Sequence, residues 1–220
     1  MEFFLNNRLR DNSLRFFYVS NKKKNMKPFL FLTLLLVLTL TSLKAQNFSG
    51  NVILGINGAQ VDGDTQSGYK KAGLKLGFDV SLFDEKKVSY ETGLNFSSKG
   101  AIDKVNGFTQ FKTSLNYIEI PLLLNIRLLE KFSFIAGASY NYLISSKITE
   151  YDGTETKDPD YLKNYDINAV TGIKTDIWSG FELRAIFNYT LGHITSDPDM
   201  KYWRNNVLNL SIVKKFGLKK

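Results

Sequence analysis

The chain has 220 residues, a formal net charge of +8 and no cysteine. Zero cysteine excludes a disulfide scaffold, a thiolate zinc site and a lipid-modified N-terminal cysteine. The basicity does not indicate a nucleic-acid partner, because it is concentrated at the front: residues 1–45 carry eight Lys/Arg against two Asp/Glu, and residues 46–220 carry 21 against 19. The first element lies in that front segment. Met26-Lys27 precedes an apolar run from Pro28 to Leu40, followed by Thr41-Ser42-Leu43-Lys44-Ala45-Gln46. A positive start, a short apolar stretch and a small residue at the cut describe a secretory signal peptide, with cleavage expected after Ala45. The apolar run is shorter than the roughly 20 residues of a spanning helix, which disfavours an uncleaved anchor. Met26 is the expected start. Residues 1–25, including Lys22-Lys23-Lys24, are then an over-extended reading of the gene. The expected organisation is 1–25 outside the protein, 26–45 as signal peptide, and 46–220 as one domain.

Beyond the leader, seven segments alternate apolar and polar residues with period two. The first predicted strand lies near 48–58, with Val52, Leu54 and Ile56 on one side. A polar stretch from Gln60 to Gly68 follows. The second strand, 71–83, is the clearest. Ala72, Leu74, Leu76, Phe78, Val80 and Leu82 face one way, and Gly73, Lys75, Gly77, Asp79 and Ser81 the other. Asp84-Glu85-Lys86-Lys87 makes a tight turn into the third strand, 88–98. A loop over 99–111 leads to the fourth, 112–127, which Leu129-Glu130-Lys131 turns into the fifth, 132–144. The longest loop spans 145–164. The sixth strand, 165–175, has the weakest alternation. Asp176-Ile177-Trp178-Ser179-Gly180 turns into the seventh, 181–192. A last loop, 193–203, precedes the eighth, about 204–216. No helix is expected after the leader.

Eight strands of roughly 11–14 residues exceed the 9–11 that a tilted strand needs to cross a bilayer. Closing them into a ring removes the edges whose backbone groups would go unpaired in lipid. The expected fold is therefore all-β: an eight-stranded antiparallel up-and-down transmembrane β-barrel in the outer membrane, after a cleaved signal peptide. A soluble lipocalin-like barrel also alternates, with its apolar face turned inward to a ligand. Three features favour the membrane. Long and short loops take turns, which predicts periplasmic termini and outer loops at 60–69, 99–111, 145–164 and 193–203. The polar face mixes Gly, Ser and Asn with charges, as a crowded lumen would. Aromatics gather at strand ends: Phe48, Phe83, Tyr90, Phe132, Trp178, Phe181 and Phe216 at one, Tyr69, Phe111, Tyr142, Tyr165, Tyr189, Tyr202 and Trp203 at the other.

The strand Ala72-Gly73-Leu74-Lys75-Leu76-Gly77, the Tyr90-Glu91-Thr92-Gly93-Leu94 start and the segment Tyr117-Ile118-Glu119-Ile120-Pro121-Leu122-Leu123-Leu124 carry a family likeness. In these residues the chain resembles the outer-membrane β-barrel family that includes the PorT-like proteins. The resemblance covers about 46–220 and implies an eight-strand outer-membrane barrel. One branch of that family assists protein secretion, and no catalytic motif is available to carry over. Pro121 lacks an N–H, so a bulge is expected there in a sheet without edges.

The inward set of charges is Lys75, Asp79, Glu91, Glu119, Arg127, Glu182 and Arg184. Charges in so narrow a lumen are costly unless paired, so Arg127 and Arg184 are expected to bridge some of the carboxylates, making a structural network. His193, with Thr195, Ser196 and Asp197 nearby, invites comparison with lipid A deacylase barrels, but His-x-Thr-Ser does not match their His-x-Ser spacing. Asp62, Asp64, Asp158, Asp160, Asp197 and Asp199 form pairs two apart that could offer oxygens to calcium, yet none follows a twelve-residue calcium loop. No catalytic residue, metal site or cofactor is therefore expected. The expected partners are outer-membrane lipid and other envelope or secretion proteins, and not nucleic acid. The function expected is that of a non-enzymatic outer-membrane barrel with a filled lumen and outer loops open to contacts. Secretion or envelope assembly is the alternative, ahead of a lipid-modifying enzyme or a soluble ligand binder.

Overall fold

The computed structural model describes residues 48–217 except 65–67, 85, 106, 107 and 201. The expected leader, its cut after Ala45 and residues 1–25 lie outside the described residues. Nine strands follow in order: β1 (Phe48–Asp62), β2 (Lys71–Leu82), β3 (Val88–Val105), β4 (Phe108–Arg127), β5 (Phe132–Thr149), β6 (Glu155–Lys157), β7 (Tyr165–Trp178), β8 (Phe181–Thr190) and β9 (Arg204–Phe216). Eight of them form a ring. Each pairs antiparallel with its neighbours in the order β1-β2-β3-β4-β5-β7-β8-β9, and β9 returns to β1. Three-residue β6 is an addition to the C-terminal end of β5. Ring closure thus gives each of the eight strands a hydrogen-bonded neighbour on both sides, as a lipid environment requires.

The period-two pattern decides which wall faces where. In β1, Asn51, Ile53 and Asn57 are buried, while Leu54 is 58 % and Ile56 64 % exposed. Leu122 in β4 is 68 % exposed and Phe78 in β2 53 %. The apolar wall is on the outside and the polar wall lines the interior, the reverse of a soluble ligand-binding barrel. This arrangement is stable only where the outer surface meets hydrocarbon. Exposed Tyr90, Phe132, Trp178 and Phe216 ring one end, and Tyr140, Tyr142 and Tyr165 the other. Tyr140 and Tyr165 stack with centroids 6.3 Å apart.

Short turns and both ends of the described chain share one end of the barrel, where Gly50 of β1 lies opposite Phe216 of β9. Phe83 enters the β2–β3 turn at φ 60°, and the Lys86 amide donates to its carbonyl at 2.9 Å. Ser179-Gly180 turns β7 into β8, with Gly180 at φ 73° supplying the left-handed residue such a tight hairpin needs. This turn is shorter than the 176–180 read from the sequence, because β7 runs on to Trp178.

Four other expectations are corrected. The 99–111 loop is mostly strand, with β3 and β4 continuing and pairing as far as Val105 and Phe108. The 145–164 loop likewise begins as β5 and folds back as β6. The apolar residues there, such as Ala101, Ile102, Val105 and Ile148, are too few and too irregularly spaced among polar ones to show a period of two, so periodicity could not reveal strands whose partners are other strand extensions. A short 3-10 turn, Pro198–Met200, interrupts the last loop. Pro121 makes no bulge. The β3–β4 register is the same on either side, at Thr92 opposite Leu122 and Asn95 opposite Glu119, and the rungs between are missing. Proline removes a donor, and a gap in the ladder absorbs that loss without an inserted residue. The Thr92 hydroxyl donates to the Pro121 carbonyl at 2.7 Å, and Pro121 keeps its place opposite Ser139 on β5. The register shifts fall instead at Asp103/Lys104, Asn116/Tyr117 and Asp176/Trp178.

Candidate functional site

Eight strands enclose a space that side chains can fill, and inward residues from every strand fill it in layers. Nearest the short turns, Lys215 Nζ lies 3.1 Å from both Asp84 Oδ2 and Glu182 Oε2. Lys174 Nζ stands 3.3 Å from Glu182 Oε2 and 3.9 Å from Glu91 Oε2. Arg184 is the hub. Its Nε bonds Glu182 and its Nη1 bonds Glu91. Its Nη2 donates to Glu91 Oε2 at 3.1 Å, and Asp79 Oδ2 lies 3.9 Å from Nη1. Glu91 also accepts from the Ser81 hydroxyl at 3.2 Å, and Asp79 accepts from Asn95 Nδ2 at 2.9 Å. Charge-assisted bonds of this kind offset the cost of taking each ion out of water.

Inward glycines make the room. A Cβ on Gly77 would overlap the Asn95 amide, and one on Gly93 would overlap the Asp79 carboxylate and the Phe78 carbonyl. Farther from the turns, Lys75 Nζ bonds Glu119 Oε1 at 2.7 Å. Lys99 stands 3.8 Å from Glu119 Oε2, donates to Asn141 Oδ1 at 3.0 Å and lies 5.1 Å from the Tyr117 ring centroid. Above it, Asp166 Oδ2 accepts from Thr190 Oγ1 and Asn205 Nδ2, each at 3.0 Å. Leu123, Ile135, Val170 and Ile186 form an apolar quartet on the β4, β5, β7 and β8 wall. Between quartet and charges, the residual void beside Lys75, Glu119 and Arg184 is about 10 Å³, room for roughly one water.

The loop end is closed differently. Leu162, Ile194 and Trp203 from the loops pack on Val61, Ala101, Leu115 and Tyr117 of the barrel wall, with Phe111 and Tyr161 against them. Trp203 is 9 % exposed, which corrects its expected place in the lipid-facing aromatic belt. Hydrophobicity alone cannot tell an aromatic that meets lipid from one that turns inward as a lid.

Of the expected charged set, the structure brings Asp79, Glu91, Glu182 and Arg184 into one cluster and Lys75 and Glu119 into another. Arg127 stands half-buried at the turn-end mouth, and its Nη2 donates to the Asp84 backbone carbonyl at 2.7 Å. Lys174 and Lys215 take the bridging positions expected of it, and with Lys99 and Asp166 they were not anticipated. The signal was present, since Lys99, Lys174 and Lys215 fall on the inward parity set by Ser97, Gly172 and Ser211. His193 is exposed, and the Ser196 hydroxyl donates to the Tyr161 carbonyl at 3.1 Å. The loop aspartates serve local structure. Asp62 accepts from Gln60 and Asn206, Asp158 from the Ser146 amide at 2.6 Å, and Asp197 from the Asp199 amide. Among the described residues, no group of three or more His, Cys, Asp or Glu is placed to hold a metal ion.

No curated protein is significantly similar in sequence to the chain. Among solved structures, the chain is similar to Ail, the attachment invasion locus protein of Yersinia pestis, at 14% identity, with 78% of this chain and 99% of that one covered and a TM-score of 0.49. It is similar to Neisserial surface protein A at 12% identity, covering 77% and 97%, with a TM-score of 0.48. It is also similar to the N-terminal β-barrel domain of Pseudomonas aeruginosa OprF at 12% identity, covering 78% and 98%, with a TM-score of 0.42. The family model described as the outer membrane protein beta-barrel domain matches residues 44–196. With that match over a closed ring whose apolar wall faces outward, the chain belongs to the outer membrane protein β-barrel family and resides in the outer membrane.

Proposed function

We propose that this protein is a non-enzymatic barrel whose lumen is a structural plug and whose working surface is its outer loops. The filled lumen carries the reading. A charged network, an apolar quartet and an apolar lid occupy the space through which a solute would pass, leaving a mid-lumen void of about 10 Å³. In the proposed orientation both termini and the short turns face the periplasm. The loops and the β3–β4–β5 extensions face outward and contact a partner or the surroundings. Lipid covers the apolar wall, and residues 46–220 form the mature domain after removal of the leader.

Conductance tests the plug and protease tests the orientation. The wild-type protein in planar bilayers is expected to show no large steady conductance, and an open channel would defeat the reading. Protease added to intact cells is expected to cut first around Tyr151–Gly153, the exposed turn between β5 and β6. Cutting confined to the turns at 84–87 or 179–180 would reverse the topology. The PorT-like alternative, a part in protein secretion, draws on the sequence likeness at Tyr117–Leu124. It predicts that deleting the gene lowers the amount of secreted protein, whereas a surface role predicts unchanged secretion.

A further inference from the structure

Lys214 points outward, into the lipid-facing wall. Along β9, Leu208, Leu210, Ile212 and Phe216 are exposed on the outside, and Lys214 stands half-buried between the last two. It lies opposite Phe181 on β8 and Val52 on β1. The outward positions that follow on those strands carry no charge: Leu183, Ala185, Phe187 and Tyr189 on β8, and Leu54 and Ile56 on β1. A charged side chain on such a wall is costly unless its head reaches the headgroup region or meets an anion.

The ammonium reaches the edge of the wall. It ends beside Gly180 in the β7–β8 turn, where an added Cβ would stand 3.1 Å from Lys214 Nζ. Its Nζ lies 4.1 Å from the Phe181 ring centroid. The ring of Trp178 comes next, 6.4 Å from that of Phe181 with the planes at 43°, and Trp178 is 79 % exposed. Among the described residues, Lys214 takes part in no ion pair. Asp84, Asp176 and Glu182, carboxylates of this end, stand around Lys215. Successive strand residues take opposite faces. β9 therefore presents a paired lysine to the lumen and an unpaired one to the lipid.

We infer that Lys214, Phe181 and Trp178 hold the headgroup of an anionic phospholipid in the leaflet at the turn end. The ammonium takes a phosphate oxygen, and the two rings lie against the glycerol and the first methylenes of the chains. The phosphodiester supplies the acceptor and the counter-charge that the protein does not. Aromatic rings suit the boundary between headgroup and hydrocarbon. A zwitterionic lipid brings its own cation to its phosphate, so a lipid of net negative charge is preferred. The inference rests on the lipid-covered wall proposed above and holds whichever side of the membrane the turns face.

The chain has two tryptophans, Trp178 and Trp203. The test uses full-length mature protein in phosphatidylcholine bilayers, with folding checked by gel mobility before and after boiling. Phosphatidylglycerol or phosphatidylcholine brominated near the headgroup is added at equal mole fractions, and quenching of tryptophan fluorescence by the bromines is followed. Trp178→Phe gives the background from Trp203, which is 9 % exposed in the lid, and subtraction leaves the Trp178 signal. Phosphatidylglycerol is expected to take the place beside Trp178 roughly fivefold more readily than phosphatidylcholine. Lys214→Gln should abolish that preference, Lys214→Arg should keep it, and Lys157→Gln should leave it unchanged. Equal quenching by the two lipids overturns the site. A preference that survives in Lys214→Gln also overturns it, and assigns the attraction to the charge of the whole end. Absence of quenching by either lipid would overturn the lipid-covered wall, and the site with it.

Discussion

Arg184 shows how much one residue carries. It is 1 % exposed and bonds two carboxylates, Glu91 and Glu182, with Asp79 close by. Removing one partner from such a group strands the others in a low-dielectric interior, which costs several times more than removing a solvated charge. Arg184→Ala is expected to lose on the order of 3 kcal/mol of stability or more. Lys157→Ala, on the exposed β6, is expected to lose under about 1 kcal/mol. Urea unfolding of both variants with lipid present measures the difference, and equal, negligible losses would show the network to be loose and hydrated. The glycines belong to the same account. Gly77 and Gly93 are needed because Asn95 and Asp79 occupy the space where their side chains would stand.

At the scale of elements, the loops act as a lid as well as connections. Trp203, just before β9, packs with Leu162 and Ile194 into the top of the lumen. Trp203→Ala is expected to lower stability by about 3–5 kcal/mol, the usual cost of emptying a large aromatic site. It is not expected to open a channel, because the Lys75–Glu119–Lys99 layer lies beneath the lid. Calorimetry and bilayer recording on the same variant separate the two effects, and steady conductance from it would mean that the lid alone seals the barrel. The β3–β4 ladder shows an element tolerating a local defect. Pro121 deletes rungs to one neighbour, keeps its place beside the other, and shifts no register.

The whole molecule is a closed ring without an edge strand in the membrane-spanning part. No strand of the ring can peel away without breaking two ladders, and the interior network ties opposite walls together. Folded protein is therefore expected to resist dodecyl sulfate until heated, migrating differently on a gel before and after boiling. Identical mobility in both samples would argue against a closed barrel. The inverted distribution of polarity, with charges inside and apolar side chains outside, also fixes the environment. In water that outer wall would be a very large exposed apolar patch, and only hydrocarbon stabilises it.

The residues of the clearest strands were enough to determine the barrel. Over 72–82, and over 181–189 apart from Ile186, alternation gives one apolar and one polar wall, and the alternating loop lengths and the aromatics at strand ends favour a membrane barrel over a soluble one. The same parity placed Lys75, Asp79, Glu91, Glu119, Glu182 and Arg184 in the lumen. Three things depended on the tertiary structure. Which cations meet which carboxylates depended on strand register and shear, so that Lys174 and Lys215 reach Glu182 while Arg127 stays at the mouth. The outer extensions of β3, β4 and β5 formed because paired neighbours were available, a property of the ring and not of the polar segments themselves. The inward turn of Trp203 arises where loops distant in sequence meet. Local periodicity records which face a side chain takes, and only closure of the ring determines what it faces.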